Sequence, residues 1–188
     1  MRVIGVDPGS RACGYGVLES ANGKIKHLTS GTIIPPQKGS LPERLRAIYK
    51  EIVDIIETHS PDCMSIEEVF FAKNAKSALK LGQARGVALL AAANSGMDIY
   101  EYAPTSIKLA LTGNGRAKKP EVQKMVSYII GVIEGMSNDS SDALAIAICH
   151  INSTRKIGTE GLNLNIRPGR RKRRRFKLDD ITSEGKNS

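Results

Sequence analysis

Four acids stand where a folded chain can bring them together. Asp7 ends the short apolar run Val3 to Val6 and is followed at once by the turn residues Pro8, Gly9 and Ser10. Glu67 lies near the end of a second apolar run at 62–69, and Asp139 and Asp142 open a third apolar stretch. Three residues apart, the last two share one face of a helix. A carboxylate at the end of a buried strand is costly unless something compensates its charge. Four carboxylates in one place repel strongly unless cations are bound. Hard divalent ions such as Mg²⁺ take oxygen ligands and keep waters or substrate phosphates in their shell. Two such ions roughly 4 Å apart can activate a water and stabilise the leaving oxygen of a phosphodiester. Zinc is not indicated, because His27, His59 and His150 are scattered and Cys13, Cys63 and Cys149 lack ligand spacing.

Each acid also has a structural reading. Asp7 before Pro8-Gly9 can simply start a turn. Glu67 can face solvent, with Glu68 the inward residue. Asp139 can cap a helix, with Asp142 a first-turn acid favourable to the helix dipole. The case for chemistry rests on all four falling at strand or helix ends that can converge.

The elements that would position them follow from periodicity. Residues 2–7 predict a central strand, and 13–19 and 24–35 two more, joined by the hairpin signal Asn22-Gly23. This makes an antiparallel meander with Asp7 at one end of its first strand. Residues 41–58 carry one apolar stripe of helical spacing, with Ser40 as N-cap and Pro42 in the first turn. Residues 62–69 return to strand character. A strand, helix, strand passage puts the fourth strand parallel to the first. Residues 74–95 predict a long helix, apolar on nearly every side from Val87 to Ala93, hence a core helix or one shared between the sheet and a second subunit. A strand at 98–102 and helices at 104–111, 120–130 and 139–152 complete the pattern.

The chain has 188 residues and a formal net charge of +9. A single domain over 1–155 is expected, followed by a basic, flexible tail over 156–188. Residues 1–155 hold 18 Lys/Arg against 15 Asp/Glu, whereas the last 33 hold 10 against 4 and include the unbroken run Arg170 to Arg175. Such a distribution points to a polyanionic partner, most often nucleic acid. The three cysteines are odd in number and lie in apolar surroundings, which favours reduced core thiols in a cytosol. No apolar run approaches the ~20 residues that span a bilayer, so no membrane association is expected.

Four segments carry a specific resemblance. They are D-P-G-S-R-x-x-G-Y-G at 7–16, I-E-E-V-F-F-A-K-N at 66–74, A-L-K-L-G-Q-A-R-G-V-A at 78–88 and D-x-x-D-A-L-A-I-A at 139–147. In order and spacing, over about residues 1–155, the chain resembles the RuvC family of bacterial Holliday-junction resolvases. The resemblance implies an α/β fold of the ribonuclease-H-like type: a five-stranded mixed sheet, its first three strands antiparallel, flanked by helices. It implies a cytoplasmic homodimer that makes paired cuts in four-way junction DNA with Mg²⁺, with Mn²⁺ as substitute and two ions per site. It also implies the RuvA–RuvB branch-migration complex as partner. The catalytic, metal-binding acids match Asp7, Glu67, Asp139 and Asp142. The DNA-binding positions match Phe70, which would probe bases at the junction, and Lys108 and Lys119 near the scissile phosphate. Lys118 is adjacent and can replace Lys119 in that role.

Two other classes compete. A phosphotransferase of the actin and sugar-kinase type also uses an Asp and a glycine turn between strands, but needs two domains where this chain has room for one. A non-catalytic basic nucleic-acid-binding protein explains the charge and leaves four placed acids unexplained.

Overall fold

The apolar run at the N-terminus becomes strand β1 (Arg2–Asp7), the centre of a five-stranded sheet. Strands β2 (Cys13–Ala21) and β3 (Lys24–Ile33) follow antiparallel, turned by Asn22 and Gly23, both at positive φ. Asn and Gly tolerate that backbone, which two-residue hairpins demand. Helix α1 (Leu41–His59) crosses over to β4 (Cys63–Glu67), which lies parallel to β1 on its other side. Ser40 and Glu43 close its N-terminus, with the Ser40 N–H donating to Glu43 Oε2 at 2.7 Å. Helix α2 (Ala75–Asn94) leads to β5 (Asp98–Tyr102), parallel to β4 at the edge. The order is β3-β2-β1-β4-β5. Helices α3 (Pro104–Thr112), α4 (Lys119–Ile130) and α5 (Asn138–Gly158) complete the fold. This computed structural model describes residues 1–68 and 75–158. Phe70 and nearly all of the basic tail lie outside the described residues.

The two-residue period of the strands sorts side chains between two cores. Ile4, Val6, Met64 and Ile66 face α1 and α2, among Ile48, Ile52, Ala84 and Ala88. Val3 and Cys63 face α5, among Leu144, Ala147, Ile148 and Ile151. All three cysteines are buried, as expected.

Two expectations need correction. The helix buried on all sides is α5, so of the two readings of α2 the core helix fails. Residues 143–151 of α5 are all buried, because α5 lies between the sheet and helices α3 and α4. Among its described side chains, helix α2 fully buries the stripe Ala84, Ala88, Ala91 and Ala92 and exposes Leu79 and Leu90. Helix α5 also continues to Gly158 instead of ending near 152, so it crosses the boundary drawn at 155.

Candidate active site

The same strand period that builds the core aims the acids. Gly5 and Asp7 alternate with Ile4 and Val6, so Asp7 belongs to the α5 face of β1. Glu67 belongs to the α5 face of β4, in phase with Cys63 and Ser65. Parallel pairing of Val6 with Ile66 brings the two acids side by side at the C-terminal ends of neighbouring strands. Glu67 is therefore the inward acid of the Glu67-Glu68 pair.

Glycines bring in the other two acids. Gly5, Gly14 and Gly16 sit on the α5 face of β1 and β2, with Gly5 opposite Gly16 and Asp7 opposite Gly14. A Cβ on Gly14 would stand 2.0 Å from the Asp139 carbonyl oxygen, and one on Gly5 would stand 2.1 Å from that of Ala143. A Cβ on Gly16 would meet Leu144 Cδ2 at 2.5 Å. No side chain fits there, so the backbone of α5 rests directly on the sheet. That contact sets Asp139 and Asp142, in the first turns of α5, against Asp7. Glycine within a strand often marks such an approach. The alternation Gly14-Tyr15-Gly16 was the sequence signal for it, and it was not read.

The convergence appears in the electrostatics. The Asp7 carboxyl is pushed up from 3.8 to about 7, first by burial and then by Asp142, Glu67 and Asp139. Lys119 opposes the shift. Glu67 is raised by burial and by Asp142, against Lys108 and Lys119. Lys119 Nζ donates to Asp142 Oδ2 at 2.5 Å, which raises the Lys119 pKa in turn. Lys108 of α3 and Lys119 of α4 thus both lie close enough to act on Glu67, and Lys119 touches Asp142 directly. Lys118, the alternative to Lys119, stands at the N-cap of the same helix. It opens α4, its backbone N–H donating to Glu121 Oε2 at 2.9 Å.

Two arginines hold the main chain around these acids from the other face of the sheet. Arg44 of α1 donates to the Ser10 carbonyl in the turn after Asp7. Arg85 of α2 donates from Nε to the Glu67 carbonyl at 3.3 Å. Neither was singled out in the sequence, where each is an ordinary charge in a helical pattern.

The donor chemistry fits a hard divalent cation. The four side chains offer oxygen only, and Asp7 is destabilised by its neighbours' negative charge, which a cation would relieve. The acids are not a preformed cage. Among the described residues, no three His, Cys, Asp or Glu side chains are grouped so that they could hold an ion as they stand. Lys119 already occupies one oxygen of Asp142.

Comparison with known proteins bears on this arrangement. Residues 3–150 match the family model described as crossover junction endodeoxyribonuclease RuvC. A protein of that description from Geotalea uraniireducens is 43% identical over 154 residues, 82% of this chain and 90% of the relative. One from Citrifermentans bemidjiense is 42% identical over 167 residues, 89% of this chain and all of the relative. The structure of T. thermophilus RuvC in complex with a Holliday junction substrate superposes with a TM-score of 0.78 at 34% identity, covering 85% of this chain and 97% of that one. A yeast mitochondrial Holliday junction resolvase shares the fold, at 11% identity and a TM-score of 0.60.

Proposed function

Because the chain belongs to the RuvC family of crossover junction endodeoxyribonucleases, we propose that Asp7, Glu67, Asp139 and Asp142 form its phosphodiesterase site. The protein resolves four-way DNA junctions. The observation that carries the site assignment is the close seating of α5 on Gly5, Gly14 and Gly16, which sets two acids against the partly buried Asp7.

Mg²⁺, with Mn²⁺ as substitute and two ions per site, would supply an acidified water and charge stabilisation at the phosphate and the departing 3′ oxygen. The four acids would hold those ions. Asp7 is the deepest of them and gains most from a cation, since burial and three carboxylates disfavour its charged form. Lys119 and Lys108 offset negative charge at the rim. Lys119 is the more exposed and is free to leave Asp142 for the phosphate. Phe70, directly after the site strand, is assigned to stacking on a junction base, worth about 1–3 kcal/mol. The tail beyond 155 is assigned to non-specific phosphate contact. No described helix is long and apolar enough to cross a membrane; action in the cytoplasm with the RuvA–RuvB complex belongs to the same family reading.

Paired cuts call for two sites related by a two-fold axis. Helix α2 is the face assigned to the second copy. Leu79 and Leu90 are 65% and 53% exposed, and a Cβ on Gly82 or Gly86 between them would meet open space. Glycine on an exposed helix face costs about 1 kcal/mol relative to alanine, which close approach of a second helix would offset. Leu89, in contrast, packs against the α1–α2 core. Leu90→Glu is therefore expected to lower the dimer fraction in sedimentation and to uncouple the two cuts, leaving thermal stability within about 0.5 kcal/mol. An unchanged dimer would remove α2 as the interface.

The test of the site is cleavage of a synthetic four-way junction. Cutting is expected to require Mg²⁺ or Mn²⁺ and to vanish in Asp7→Asn while junction binding persists. Normal cutting by Asp7→Asn would refute the site.

A further inference from the structure

Glu67 is the last residue of β4 and pairs with Tyr102 of β5. Its neighbour Glu68 is still tied, its N–H donating to the Tyr102 carbonyl at 2.9 Å. The Glu67 carbonyl is taken by Arg85, which stands ten residues into α2. The same guanidinium donates from Nη2 to Glu101 Oε2 at 2.6 Å, and Glu101 on β5 is the register partner of Ile66. The Arg85 side chain is only 17% exposed. One planar fork thus joins three elements at the residue that carries a site carboxylate.

We infer that Arg85 is a positioning residue, fixing the Glu67 main chain and through it the aim of the Glu67 carboxylate towards Asp7 and Asp142. The carbonyl carbon and the side chain of Glu67 are bonded to the same Cα, so a shift of that Cα when the carbonyl is released moves the carboxylate with it. The action is geometric. Arg85 meets Glu67 at its carbonyl oxygen, and Glu101 pairs the Arg85 charge. An arginine fork holds two acceptors at once in a fixed plane, and a lysine ammonium on a flexible stem does not reproduce this. Groups that orient a metal ligand without touching the ion typically change affinity or activity by about 10–100-fold when removed.

The inference rests on the assignment of Glu67 to the cleavage site, so the experiment includes Glu67→Gln. Full-length wild type, Arg85→Met, Arg85→Lys, Glu101→Gln and Glu67→Gln are compared on a synthetic four-way junction. Junction affinity, single-turnover cleavage rate and the Mg²⁺ midpoint of that rate are measured for each. Arg85→Met is expected to bind the junction within about twofold of wild type, to cut at least about tenfold more slowly and to need severalfold more Mg²⁺. Arg85→Lys is expected to follow Arg85→Met more closely than wild type, because charge alone does not restore the fork. Glu101→Gln, which keeps an acceptor oxygen, falls between and serves if Arg85→Met does not fold. A wild-type Mg²⁺ midpoint in Arg85→Met, or in Glu101→Gln where only that variant folds, overturns the inference. Full rescue by Arg85→Lys overturns it as well. Normal cutting by Glu67→Gln would overturn the site assignment itself.

Discussion

Helix α5 carries two clusters of ionisable groups against the same sheet, and they are built on opposite terms. At its N-terminus, Asp139 and Asp142 face Asp7 and Glu67, and the shifts of Asp7 and Glu67 show groups of like charge forced together in partial burial. Further along, His150 is 1% exposed and fully engaged. Its Nδ1 pairs with Tyr102 Oη at 2.7 Å, its Nε2 lies 3.3 Å from Cys63 Sγ, and its ring stacks against Tyr100 with centroids 4.3 Å apart. Burial holds this imidazole neutral, its pKa pushed down to about 4. The second cluster is satisfied by what the chain supplies. The first is not, and an unsatisfied cluster of acids at strand ends is what a cation and a phosphate complete. A buried histidine beside a cysteine and a tyrosine is here a structural element, and the partly buried acids are the proposed site.

The sharpest way to break this contrast is Asp7→Asn. It removes the most strained carboxylate, so cleavage is expected to fall at least about a hundredfold. Metal-free stability near pH 7 is expected to rise by as much as about 4 kcal/mol, since the wild-type fold must hold Asp7 charged against a pKa of about 7. Urea unfolding with and without Mg²⁺ checks this. A variant less stable than wild type in EDTA would mean Asp7 is a turn residue first.

Gly14→Ala attacks the contact that assembles the first cluster. The new Cβ collides with the Asp139 backbone, so α5 must lift. A loss of about 3 kcal/mol, at the upper end for overpacking, is expected together with slower cleavage. A stable, fully active Gly14→Ala would show that close seating of α5 is not what places Asp139 and Asp142.

The pH dependence of stability separates the two clusters by sign. Asp7, with its pKa raised, loses stability as pH rises from 3.8 to about 7, because the unfolded chain gives up its proton first. His150, with its pKa lowered, loses stability as pH falls from 6.5 towards 4, because the unfolded chain takes up a proton first. Each contributes a slope of up to roughly 1.4 kcal/mol per pH unit, and between about 4.5 and 6 they oppose. Asp7→Asn is therefore expected to unmask the histidine, its stability rising with pH across that window more steeply than that of wild type. Parallel curves for the two proteins would contradict it. The smallest expected change in stability is that of Leu90→Glu, which alters assembly and leaves both clusters intact.

Strands, helices and the position of the four acids at element ends were legible because each is encoded locally. An apolar run ending in Asp7, the Asn22-Gly23 turn and the helical stripe at 41–58 need no distant partner to be recognised. What was missed depends on contacts across the fold. Gly14 and Gly16 acquire their role only when α5 descends on them. Arg85 is indistinguishable in sequence from a solvated helix charge until the Glu67 carbonyl and Glu101 meet it. His150 reads as one more scattered histidine until Cys63 and Tyr102 surround it. Central burial was one of two readings left open for α2, because small apolar residues there mimic a core helix. The structure gives that place to α5, whose alanines and isoleucines fill the space between the sheet and α3 and α4.

The central claim is that Asp7 is held among carboxylates in a state that a divalent cation relieves. Following the Asp7 carboxyl carbon by NMR through a pH titration, in EDTA and then in Mg²⁺, tests it directly. A midpoint near 7 in EDTA that falls well below that value in Mg²⁺ is the predicted result. A midpoint near 3.8 in EDTA, unmoved by Mg²⁺, would contradict the account.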